Sequence, residues 1–238
     1  MWVNIKTLRF NFTQYLMLVI VFPLSYLIIN LISGSHNSLI HSITGILISM
    51  IFSLFINLQA NLVATSNNTS VIELYAVYQA TPIYVFIGQC SLHFLMTLPL
   101  ILAAGCAMYL QVEFISIWKL VLWIITTLFF LSAVSIFLGS ILKNPNLSTP
   151  VINLIYMLII MITPIYNNFY EMKFITKILY SFNPLSHIVS LWYWCFNLKK
   201  LANSWISFII LYGIALLLGY FDYRRWKEAK AVEKLNVF

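Results

Sequence analysis

Hydrophobic residues gather into long runs along this chain, and the polar residues between the runs mark where the predicted helices end. A helix needs about 20 apolar residues to cross the hydrocarbon core of a bilayer. Five runs reach or nearly reach that length, at about 15–32, 40–64, 83–110, 120–142 and 204–223. A sixth, 150–166, is shorter but bounded by prolines and polar residues, and its leading Pro150 suits a first helical turn. The pattern therefore predicts an all-α integral membrane protein with six transmembrane helices in one domain, residues 1–238. One apolar run does not fit. It follows Asn183-Pro184 and stops at Lys199-Lys200, so 188–198 offers eleven residues. That length suits a re-entrant or interfacial helix rather than a crossing.

Two further stretches are patterned. In 65–82, "TSNNTSVIELYAVYQATP", Ser70-x-x-Glu73 has the form of a capping box. Val71, Leu74, Tyr75 and Tyr78 follow at helical spacing, which predicts a short amphipathic helix over 70–79. Pro82 disfavours helix at the residue before it. Helices that lie on lipid are usually rich in Lys and Arg. This one has neither, and Glu73 is its only charge, so docking on a protein partner is the favoured reading. Within the second run, Ser49, Ser53, Asn57 and Asn61 recur every four residues. They read equally as interhelical glue or as the polar wall of a cavity. Ser132, Ser135 and Gly139 form a small-residue face in the fourth run, read as packing.

Composition agrees with the pattern. Of 238 residues, 62% are hydrophobic and 8% charged, with a mean hydropathy of +0.93. Soluble domains carry roughly a quarter charged residues. The net charge of +7 sits between apolar runs rather than on one soluble face, which argues against nucleic acid as a partner and for the bilayer. Six crossings put both termini on one side. Lys6, Arg9, Lys143, Arg224, Arg225, Lys227, Lys230 and Lys234 would share that side, eight against the five of Lys119, Lys173, Lys177, Lys199 and Lys200. The positive-inside rule then places both termini in the cytoplasm. The first run lacks a small-residue cleavage site and reads as a retained anchor. The sequons at Asn67 and Asn68 would then lie on the cytoplasmic side, where they carry no glycan.

Candidate chemistry is sparse. Cys90, Cys106 and Cys195 have no metal spacing, and Cys90 and Cys106 would stand about 24 Å apart on one helix. No phosphate-binding GxxxxGK[ST] loop, HExxH or GxSxG occurs, so no enzyme activity is expected of this chain. No acid falls in the middle of a predicted span, whereas ion-coupled carriers usually need ionisable groups at membrane depth. His93 is the lone candidate there, and it reads as a helix–helix hydrogen-bonding group rather than a proton relay. The chain offers a path without an energy source of its own, which calls for an energy-supplying partner.

The order of these features resembles the permease subunits of type 2 ABC exporters. Two stretches carry the resemblance, "LGSILKNPNLSTPVINLIYMLIIMITPIY" at 138–166 and "NPLSHIVSLWY" at 183–193. Glu73 and Gly88 match the family's coupling glutamate and the glycine opening span three. Gln89 stands where a lysine is common, and the usual basic residues of that loop are absent. The resemblance implies a cytoplasmic coupling helix at Ser70, Val71, Glu73, Leu74, Tyr75 and Tyr78. It also implies a re-entrant outer helix pair over 174–198, with Asn183, Pro184, His187 and Trp192 as its cap. It implies a second permease chain, identical or sister, and a cytoplasmic ATP-binding subunit that holds ATP-Mg. Ser53, Asn57, Asn61, Asn153 and Met157 become path-lining candidates in a bacterial cytoplasmic membrane. Cargo of an amphipathic or hydrophobic kind is expected, as in antimicrobial peptide or antibiotic export or immunity. A cell-wall glycan exporter and a non-transporting scaffold or polytopic enzyme stay open as alternatives. Trp192, Tyr193 and Trp194 are expected in an interfacial aromatic belt.

Overall fold

A computed structural model describes residues 36–67, 77, 82–141, 150–151, 154–155, 158–159, 174–198 and 203–235. The described residues form six helices: α1 (His36–Asn67), α2 (Pro82–Val112), α3 (Ile117–Ile141), α4 (Phe174–Phe182), α5 (Pro184–Cys195) and α6 (Ser204–Leu235). No strand occurs among them. Three helices are long and apolar enough to cross a membrane, over His93–Val112, Ile117–Ile141 and Ser204–Arg224, and α1 adds a shorter apolar stretch, Leu39–Phe55. The described positions between 150 and 159 are helical, in keeping with the short sixth run. The first run, 15–32, lies outside the described residues.

Helix ends follow local chemistry. Pro82 opens α2 at the position where a missing N–H costs nothing. Pro99, inside α2, has no N–H to give back to the preceding turn. Glu113 ends α2 in the left-handed region (φ 53), its N–H held 2.7 Å from the Tyr109 carbonyl. Four residues later the chain re-enters helix as α3. α6 runs on past the apolar stretch to Leu235, about 48 Å in all, longer than the run over 204–223 predicts.

Several hydroxyls inside these apolar helices are satisfied by the preceding turn. Thr44 donates to the Ile40 carbonyl, Ser49 to Ile46, Thr97 to Phe94 and Ser132 to Leu128, all at 2.7–2.9 Å. Such back-bonding lets Ser and Thr sit in greasy surroundings without an orphaned donor. Ser135 goes further. Its Oγ lies 2.8 Å from both the Leu131 carbonyl and the Phe55 carbonyl of α1, so Ser135 packs α3 against α1.

The core lies where α1, α2, α3, α5 and α6 meet, with Leu47, Ile51, Phe55, Met108, Trp123, Leu131, Trp192 and Leu211 among its buried side chains. His93 is buried there too, its ring 6.3 Å from that of Phe55. Outward faces are equally apolar: Leu102, Leu110, Ile125, Ile209 and Leu216 are exposed. A surface of this kind is compatible with lipid around it.

Register pairs give the helix directions. Thr126 meets Tyr212, and fourteen residues later along α3 Ser140 meets Asp222 further along α6. Both numbers rise together, so α3 and α6 run parallel. α2 reaches α3 through the short turn 113–116.

Candidate functional site: the buried short helix

α5 is built to stop. Asn183, outside the helix at φ −82 and ψ 119, accepts the Leu185 N–H on its Oδ1 at 3.0 Å, and Pro184 takes the first helical position. This is the N-cap arrangement that Asn favours. At the other end Asn197 adopts φ 53. Its N–H reaches the Trp194 carbonyl, and the Leu198 N–H the Tyr193 carbonyl at 3.0 Å. That pair of bonds is a Schellman closure with Asn in the left-handed position. The helix itself holds twelve residues, about 18 Å. The expected apolar run, 188–198, is thus shifted: the helix begins at Pro184 and ends at Cys195.

Although it is short, α5 is the most enclosed helix described. Every residue from Leu185 to Cys195 is buried except Trp194, which is half-buried. Asn183 Nδ2 donates to the Ile159 carbonyl at 3.1 Å. Trp123 Nε1, from α3, donates to the Ile188 carbonyl at 2.9 Å. His187 Nδ1 lies 3.1 Å from Ser207 Oγ of α6, and its Nε2 lies 3.0 Å from the Ser181 carbonyl. Tyr193 meets His41 of α1 at 2.7 Å and also bonds Thr44. Below Cys195, whose carbonyl accepts the Ser116 N–H at 3.0 Å, Lys119 donates to Asn197 Oδ1 at 2.6 Å. α5 is therefore tied to α1, α3, α6, the α2–α3 turn and the 150–159 segment at once.

Three consecutive aromatics divide among three neighbours. Trp192 is fully buried against Trp123 (ring centroids 4.7 Å) and Phe196 (4.9 Å). Tyr193 turns to α1, its ring edge-on to His41. Trp194 alone faces the rim, between Trp118, Phe208 and the Lys119 ammonium. Of the expected aromatic belt, Trp192 and Tyr193 are instead interior, because successive helical residues point about 100° apart and only one of three can face outward.

Burial draws His187 below its ordinary pKa, with the Ser181 carbonyl pulling the other way, so its neutral form is favoured. Trp192 Nε1, Ser186 Oγ and Thr127 Oγ1 are buried with no hydrogen-bond partner among the described residues. Among the described residues no three His, Cys, Asp or Glu side chains come together to hold a metal.

Other predicted residues fall as follows. Ser53 is half-buried on α1, and Asn57 and Asn61 continue that helix, their side chains outside the described set. Ser70, Val71, Glu73, Leu74, Tyr75, Tyr78, Asn153 and Met157 lie outside the described residues. Val77, in the same stretch, is helical and exposed. His41 was not singled out from sequence, although His41 and Thr44 share a helix face at i, i+3. α4, which leads into α5, places Phe174, Ile175, Ile178 and Phe182 on one exposed face. Neither a protein-family model, nor a curated protein, nor a solved structure matches this chain.

Proposed function

We propose that this chain is the membrane-spanning permease of an ATP-driven exporter of the type 2 ABC kind. In this reading six helices cross a bacterial cytoplasmic membrane, both termini are cytoplasmic, and α4 and α5 form the re-entrant pair on the outer side. The observation that carries it is α5, a doubly capped helix too short to cross yet bonded to every neighbouring element. Topology supports it independently. Parallel α3 and α6 require an odd number of crossings between them, and the 150–166 run can supply one while α5 cannot.

The chain pairs with a second permease chain and rests on a cytoplasmic ATP-binding subunit that holds ATP-Mg. Closure of the ATPases pushes on the 70–79 helix through Glu73, Leu74, Tyr75 and Tyr78. The path widens beside Ser53, Asn57, Asn61, Asn153 and Met157, and α5 caps its outer end through Asn183, Pro184, His187 and Trp192. No bond of the cargo is made or broken. The neutral, apolar character of the helices suits an amphipathic or hydrophobic cargo, such as an antimicrobial peptide or antibiotic. Co-expression with a candidate ATP-binding subunit from the same genome tests the reading. The ATPase should co-purify with the membrane-embedded chain, and Glu73→Lys should cut recovery of the complex several-fold. An ATPase that stays soluble beside the wild-type chain would overturn it.

A further inference from the structure

Lys119 is held in an unusual setting for a membrane-protein cation. Its Nζ lies 5.1 Å from the Trp194 ring centroid and 6.0 Å from that of Trp118, and it donates one hydrogen bond, to Asn197 Oδ1 at 2.6 Å. An ammonium has three donors. Among the described residues no carboxylate pairs with it, although the exposed Glu113 lies in the turn that leads to α3.

The level of this cluster follows from its neighbours. The apolar stretches of α2 and α3 end and begin at the 113–116 turn, the turn is bonded to the end of α5 through Ser116 and Cys195, and Trp194 packs on Phe208 in the second turn of α6. Four helix ends thus meet at one face. Trp118 and Trp205 are exposed there, at 59% and 76%, as tryptophans are at the headgroup level of a bilayer.

We propose that Lys119, caged by Trp118, Trp194 and Asn197, binds the phosphate of an anionic lipid in the leaflet at this face. Charge complementarity carries the assignment: a positioned cation with unused donors sits where lipid phosphates are. The two indole rings flank the ammonium, and only one of its three donors is used, by Asn197. Because Asn197 also closes α5, a lipid seated here would bear on the end of the buried helix.

Native mass spectrometry of protein purified with equal amounts of phosphatidylglycerol and phosphatidylcholine tests this. The wild-type chain should retain phosphatidylglycerol about five-fold over phosphatidylcholine. Lys119→Arg should keep that preference and Lys119→Gln should abolish it. Undiminished preference in Lys119→Gln would overturn the site, and so would displacement of the lipid by millimolar inorganic phosphate, the mark of a free-anion site. Should Lys119→Gln fail to fold, quenching of wild-type tryptophan fluorescence decides. Brominated phosphatidylglycerol must then quench more strongly than brominated phosphatidylcholine, and equal quenching rejects the proposal.

Discussion

Trp123 and Trp192 face each other across the α3–α5 contact, both fully buried, yet only one of the two indole N–H groups is used. Trp123 donates to the Ile188 carbonyl, and Trp192 finds no acceptor among the described residues. A made hydrogen bond contributes about 1 kcal/mol net, while a buried orphan donor carries a desolvation cost of about 1–3 kcal/mol. The two Trp→Phe changes should therefore differ in sign. Trp123→Phe is expected to lower stability by about 1 kcal/mol. Trp192→Phe removes an orphan along with some ring contact and should be neutral or slightly stabilising. Thermal melts of the two variants in one detergent check this, and equal losses would show that ring packing, not the N–H, governs both sites. The sequence does not show which indole finds an acceptor, since the Ile188 carbonyl that Trp123 meets lies 65 residues away in the chain.

At the scale of the element, α5 was the part most readable in advance. Asn183-Pro184, a short apolar stretch and Lys199-Lys200 are local signals, and they announce a helix that starts abruptly and cannot cross. Its surroundings were not readable, because which neighbour each residue meets depends on helices distant in sequence: His41 lies 152 residues from Tyr193. Docking of α5 through His187 has a consequence for pH. Burial holds this imidazole below its unfolded value of about 6.5. Above that pH both states are neutral and the group has no effect. As pH falls below about 6.5, the unfolded chain binds a proton that the folded one resists, so stability drops toward the lower folded pKa. Melting temperature should fall between pH 7.5 and 5.5, and fall less in His187→Gln; parallel curves would assign the acid sensitivity to other groups. The α1–α3 contact is equally specific. Ser135 sits against the α1 backbone at Phe55, so Ser135→Ala should cost about 0.6 kcal/mol, a typical interhelical hydrogen bond. Ser135→Leu must push the helices apart and should cost about 1–3 kcal/mol. A melt in which leucine is tolerated as well as alanine would mean the two helices can separate freely.

The whole molecule turns on one relation, the parallel course of α3 and α6, which follows from paired contacts and not from any hydropathy count. Apolar runs reveal how many helices could cross, but their directions emerge only from which residues touch. If α6 crosses once, the 113–116 turn and the end of α5 lie at one face, and the charged end of α6 beyond Arg224 lies at the other. Single cysteines at Glu113, Asn203 and Glu228, in a chain with Cys90, Cys106 and Cys195 replaced, can be probed with a membrane-impermeant maleimide. With the proposed orientation, the cysteines at 113 and 203 should label on intact cells, and the one at 228 only after permeabilisation. Labelling of all three from one side would break the single crossing of α6, and with it the argument that 150–166 returns the chain across the membrane. The reverse pattern would keep the helix directions and invert the protein. In that case α5 would cap the path from the cytoplasmic side, where an exporter's outer seal has no use, so this one experiment bears on both the architecture and the transport direction assigned to it.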